Sequence, residues 1–185
     1  MKTALIIVDI QNDYFPGGKM VLEGAHQASE NAAALLSAFR RLRLPVIHIQ
    51  HIAKGSGATF FLPETEGVRI HKSVAPLGGE AVIEKHYPNS FRETELLGHL
   101  KREKIARLVI AGMMTHMCID TTTRAAFDLE FKIQLAHDAC ATKALSFGGV
   151  EVPAKQVHNA YVAALDGTFA EALSSKDLLT RYASK

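Results

Sequence analysis

Short apolar runs, each followed by a helical stretch, constrain this chain more than any other feature. "TALIIVD" (3–9) holds five consecutive apolar residues and then a carboxylate. "PVIHIQH" (45–51), "ARLVIAG" (106–112) and "FKIQLAHDA" (131–139) follow the same plan, and "EAVIEK" (80–85) and "TFAEAL" (168–173) are shorter versions. Runs this short and continuous predict strands buried on both faces. The segments between them read as helices. "HQASENAAALLSAFRRL" (26–42) is Ala/Leu-rich with apolar residues at helical spacing. "SFRETELLGHLKREK" (90–104) opens with Ser90 and Glu93 in a capping-box pattern. "MCIDTTTRAAFDLE" (117–130) and "SKDLLTRYA" near the end are further helices, as is 153–167, bounded by Pro153 and Gly167. Residues 53–79 form no element and carry five glycines and two prolines. An irregular loop of that length in a compact domain usually serves function.

Strands alternating with helices predict βαβ units. The expected fold is α/β: a three-layer, Rossmann-like arrangement with a mostly parallel sheet of about six strands and helices on both faces. The 185 residues suit one domain, 1–185. The formal net charge is +2 with no dense basic run, and "RRLR" (40–43) suits the end of a helix, so no nucleic-acid partner is expected. No segment reaches the ~18 apolar residues of a membrane span, and the first apolar run is too short for a signal peptide. Cys118 and Cys140 are too few for a disulfide framework, which predicts a reduced, cytoplasmic protein.

Ligands of such sheets bind beyond the carboxyl ends of the strands. The residues to weigh are therefore Asp9, His51, Lys85 and the segment 112–118, "GMMTHMC". Each has a plain explanation alone. Asp9 can bond nearby backbone amides, Lys85 can be a solvated strand end, and Cys118 can be packing. Together they offer an acid, an ammonium and a thiol at three strand ends. A cation and a helix N-terminus lower a thiol's pKa, Asp9 can move its proton, and turn amides can hold an oxyanion. No G-x-G-x-x-G follows the first strand, which argues against a dinucleotide site.

The motifs "IIVDIQNDYF", "EKHYPNSFRETEL", "LVIAGMMTHMCIDTTTRAA" and "AHDACAT" resemble, in order and spacing, those of the isochorismatase-like cysteine hydrolases, which include nicotinamidases and N-carbamoylsarcosine amidases. The resemblance runs from about residue 4 to residue 145, and "VHNAYVAALDGTFAEAL" is similar to the family's end. It implies Cys118 as nucleophile, Asp9 as acid/base and Lys85 in support. It also implies a cis peptide within Gly112–Thr115, at Met113–Met114, and an oxyanion hole from the Met114 and Cys118 amides. The expected substrate is a small molecule with an amide, ureido or related C–N bond, cleaved through a thioester. A homodimer or homotetramer is expected on the same ground.

Departures from relatives narrow this. Nicotinamidases carry an Asp-x-His pair after the second strand that helps to bind a metal; here the stretch is "HIQHIAKG", so no metal or cofactor is expected. His48 and His51 read as one inward and one outward side chain, with His51 in reach of substrate. His71 is distant. His26, His99, His137 and His158 read as helix-surface or strand-end residues, and Cys140 as packing. True isochorismatases cleave a vinyl ether and lack the cysteine, so a vinyl-ether hydrolase is the alternative, beside a non-catalytic small-ligand module. Tyr14, Phe60, Phe61 and Met117, with His51, are expected to line the substrate pocket.

Overall fold

The computed structural model describes residues 1–183. Residues 184–185, which close the expected domain, lie outside the described residues. The strands are β1 (Lys2–Val8), β2 (Val46–His51), β3 (Ala81–Lys85), β4 (Ile105–Met113), β5 (Lys132–Ala141), β6 (Leu145–Phe147), β7 (Val150–Val152) and β8 (Glu171–Leu173). The helices are α1 (Ala25–Arg41), α2 (Leu96–Arg102), α3 (Asp120–Asp128), α4 (Ala154–Leu165) and α5 (Ser175–Ala183). Six strands form one sheet in the order β3-β2-β1-β4-β5-β8, parallel throughout.

The continuous apolar run of β1 has a direct structural cause. Leu5 and Ile7 enter one core, with Leu35, Leu36 and Phe39 of α1 and Leu178 and Tyr182 of α5. Ala4, Ile6 and Val8 enter the other, with Leu96 and Leu100 of α2, Ala126 of α3 and Leu165 of α4. A strand covered on both faces has no polar side. Each large side chain buried this way contributes about 1.5–3 kcal/mol. The sheet winds outward from β1 in one direction and from β4 in the other, so the switch point lies between these two strands. Their backbones come very close there. A Cβ added at Gly112, which has φ +136°, would stand 1.9 Å from the Val8 carbonyl oxygen.

Two local features differ from the sequence reading. The helix expected over 90–104 starts at Leu96, with Glu95 at its N-cap and no side-chain cap. Ser90 is fully buried and bonds Thr122 of α3 instead, N–H to Oγ1 at 3.1 Å and hydroxyl to hydroxyl at 2.8 Å. A tertiary contact has taken the capping serine. The second difference is the antiparallel hairpin of β6 and β7, joined by Gly148 and Gly149, both at positive φ. Its register pairs Leu145 with Val152 and Phe147 with Val150, giving one apolar face on which Phe147 is 89% exposed. Ser146 and Glu151 pair on the other face.

Candidate active site

Three elements bring the expected polar residues to the switch point. Asp9 is the first residue after β1, at φ 52°, and its N–H donates to Ile49 O (3.0 Å). Lys85 ends β3, two strands away across β2. At about 4.8 Å per strand, only a long side chain closes that gap, and Lys85 Nζ reaches Asp9 Oδ2 at 2.7 Å. Cys118 lies on a five-residue π-helical turn, Thr115–Ile119, that joins β4 to α3. The expected helix therefore begins earlier and wider than the sequence pattern indicates. The Met113–Met114 peptide is cis.

Lys85 Nζ also lies 3.1 Å from Cys118 Sγ and 3.2 Å from His51 Nδ1, and donates to Tyr87 O at 3.1 Å. Asp9 and Lys85 are fully buried, and Cys118 is 4% exposed. Burying two charges costs several kcal/mol per ion, and apolar residues of the same size would often stabilise the fold more. An ion pair kept here despite that cost suits chemistry better than stability. Burial opposes the Lys85 ammonium, but Asp9 and Cys118 outweigh it and raise its pKa.

The thiol departs from the expected lowering. Burial first, then the Asp9 carboxylate, push Cys118 well above the usual thiol range, and Lys85 only partly offsets them. The resting sulfur is a thiol, so a base must remove its proton when it reacts. Asp9 stands in place for that: ligand atoms of Asp9, His51 and Cys118 all lie within 4.8 Å of one another. Burial lowers His51 to about 4, so its ring is neutral near pH 7.

Those three side chains could in principle hold a cation together. The cluster does not fit a metal, because the Lys85 ammonium already contacts all three donors. A divalent ion would have to enter against that charge. Nor do His48 and His71 approach. His48 faces the α1 side, with Nε2 3.0 Å from Glu80 Oε2, and Glu80 also pairs with Arg40. His71 stacks on Phe15, with centroids 3.8 Å apart. Turnover is expected to survive dialysis against a strong chelator unchanged. Activity lost on dialysis and restored by zinc or iron would contradict this.

The pocket residues divide. Tyr14 and Phe61 are buried and meet edge-on at 4.8 Å; Phe60 packs on both, and Phe61 lies 5.8 Å from the His51 ring. Burial raises the Tyr14 pKa well above normal, with Cys118 and Asp9 adding to it. These rings pack together beside His51. Met117 is 39% exposed. Cys140 is buried, bonds Ala136 O through Sγ (3.4 Å), and is pushed up to about 12 by burial.

Several supporting residues escaped sequence reasoning. His158 is no surface residue without a role: its Nδ1 lies 2.9 Å from Thr115 Oγ1, which donates to Ala141 O, so α4 and β5 both fix the cysteine turn. His116 Nδ1 makes a similar contact with Thr142 Oγ1. Gln11 is buried and donates to His51 O (2.9 Å) and Val68 O (2.6 Å), while its Oε1 accepts from His51 N–H (2.8 Å). Its place in "DIQNDYF", directly after a buried strand, was the available signal.

An isochorismatase domain model matches residues 3–177. The chain belongs to the isochorismatase family. It is 51% identical over 179 residues to the uncharacterized isochorismatase family protein YddQ of Bacillus subtilis (strain 168), covering 97% of this chain and 99% of that one. A crystal structure from Oleispira antarctica, named for an isochorismatase hydrolase, superposes with a TM-score of 0.94 at 49% identity, over 97% of this chain and 96% of that chain. Streptothricin hydrolase of Streptomyces noursei is 31% identical over 139 residues, 75% of this chain and 49% of that protein. The family also includes amidohydrolases such as nicotinamidase 3 of Arabidopsis thaliana and the ureidoacrylate amidohydrolase of Cronobacter sakazakii.

Proposed function

We propose that this protein is a metal-independent cysteine hydrolase that opens an amide, ureido or related C–N bond of a small molecule. The observation that carries the reading is Lys85 Nζ standing between Asp9 (2.7 Å) and Cys118 (3.1 Å), all three buried. Asp9 takes the Cys118 proton as the sulfur attacks the carbonyl carbon. The Lys85 ammonium stabilises the anionic sulfur through that step. The carbonyl oxygen, now negative, is held by the N–H groups of Met114 and Cys118. The C–N bond breaks, Asp9 returns the proton to the leaving nitrogen, and a thioester remains. Water then gives its proton to Asp9 and attacks the thioester carbon. Collapse releases the acid, and the departing sulfur recovers the proton from Asp9. Tyr14, Phe60, Phe61, His51 and Met117 surround the substrate, and the aromatic rings favour a flat one.

The relatives named for hydrolysis of C–N bonds support this reading. The test is a screen of amides, ureido acids and nicotinamide for ammonia release by the wild type and by Cys118→Ala. Release by the wild type alone supports it; equal release by both, or by neither across the series, counts against it.

We place the protein in the cytoplasm, since its two unpaired thiols suit a reducing compartment. Among the described residues no helix is long and apolar enough to cross a membrane. The homo-oligomer expected from family resemblance gains support from the β6–β7 hairpin. An isolated two-stranded hairpin is marginal in water, and this one shows Phe147 and Val150 to solvent. Sedimentation at micromolar concentration should give a dimer or tetramer mass. A species of 20.2 kDa would contradict it.

A further inference from the structure

The loop that sequence analysis left without an element, 53–79, is pinned at one point by a residue so far given no role. Asp13 is buried, and two backbone amides hold its carboxylate: Phe61 N–H at Oδ2 (2.6 Å) and Lys19 N–H at Oδ1 (3.0 Å). Its own N–H donates to Gly67 O (2.9 Å), and its carbonyl accepts from Met20 N–H (2.9 Å). The neighbours leave the carboxylate no slack. A Cβ at Gly67 would stand 2.2 Å from Asp13 Oδ1. Phe61 itself sits at φ 56°, a conformation that L residues rarely hold unaided. Its ring is the one that meets both Tyr14 and His51.

The outer side of this loop is not packed. A cavity of about 420 Å³ opens there, lined by Asp13, residues 16–19 and, from the loop, Thr59, Phe60, Leu62 and residues 65–67, but not by Phe61. Room exists for the segment to swing outward, and the Asp13 contacts oppose that motion. Cys118, Asp9 and Lys85 are themselves buried.

We propose that Asp13 is a positioning residue whose carboxylate latches Phe61 into the wall of the Cys118 cleft, and so sets the size of acyl compound admitted to the thiol. The substrates selected are compact and flat, and bulky aryl compounds are excluded until the latch is lost. Asp13 touches no reacting atom; it acts through Phe61. An asparagine at this position has one acceptor and one donor where two amide donors point at it, so one of the two bonds is lost.

The idea rests on Cys118 being the reacting thiol, but its test does not need a turnover assay. Alkylation rates at Cys118, located by peptide mapping, are measured with iodoacetamide and with its bulkier analogue N-phenyliodoacetamide. Both reagents attack the same thiolate, so the ratio of their rates cancels any change in thiol ionisation and reads access alone. Loss of one charge-assisted hydrogen bond in Asp13→Asn should raise the aryl-to-small ratio about tenfold. Gly67→Ala, which displaces the same carboxylate, should raise it too, and serves if Asp13→Asn does not fold. Phe61→Ala should raise the ratio, and adding Asp13→Asn to it should change nothing further, which a general loosening of the fold would not reproduce. Ser175→Ala, which removes a hydroxyl bonded to Asp138 Oδ2, should lower stability and leave the ratio at the wild-type value. A folded Asp13→Asn or Gly67→Ala with a wild-type ratio would overturn the proposal. So would effects of Asp13→Asn and Phe61→Ala that multiply. Failure of the amidase reading would show separately, as absent ammonia release with the alkylation pattern intact.

Discussion

Cys118→Ala should abolish hydrolysis, with turnover falling by about four orders of magnitude or more, and Asp9→Asn should come close to it. The size follows from the resting state of the sulfur. Burial and the Asp9 carboxylate keep it protonated, so each attack needs a base at the thiol. Asp9 is the carboxylate in reach. With asparagine there, the thiol keeps its proton and the leaving nitrogen gains no donor. The two losses should not add, because both residues serve one step. Single-turnover kinetics on the single and double variants check this. A double variant much slower than either single one would mean that the residues act in separate steps.

Lys85→Met is expected to have the largest effect on stability. Methionine matches the length of the lysine stem but leaves the buried Asp9 carboxylate without its partner. Removing one partner of a buried ion pair costs about 3–5 kcal/mol. For a chain of this size that lowers the melting temperature by about 6–20 °C at pH 7. The same variant should push the Cys118 thiol further up, since Lys85 is the group that opposes burial and Asp9, and so slow alkylation at neutral pH. Melting curves at pH 7, with alkylation rates beside them, test both consequences. A melting temperature equal to the wild type's, or alkylation faster than the wild type, would contradict the assigned charges.

The elements that carry these residues were legible because burial leaves a strong mark on sequence. β1 has apolar side chains from Ala4 to Val8 since both of its faces are covered there, and the first polar residue after it is Asp9. Lys85 and Cys118 stood out by their place at the end of β3 and in the turn after β4. Misreadings arose where a distant contact overrode a local pattern. Ser90 and Glu93 make a sound capping box on paper, but Thr122, 32 residues away, claims the serine. The latch from Asp13 to Phe61 spans 48 residues, and no local spacing announces it. The β6–β7 hairpin was readable, since "LSFGGVEV" alternates around two glycines, and it was passed over. The direction of the Cys118 shift could not be read. A nearby cation and a helical turn argue for lowering, and only the degree of burial reverses the sign.

The central claim is a covalent bond between substrate carbon and Cys118 sulfur. Intact-mass spectrometry of the wild type with a slow amide substrate or an aldehyde analogue measures it directly. One adduct per chain is predicted, and peptide mapping should place it on Cys118 while Cys140, buried and pushed up to about 12, stays free. An adduct on Cys140, or full turnover by Cys118→Ala, would contradict the mechanism and favour a vinyl-ether or purely binding role instead.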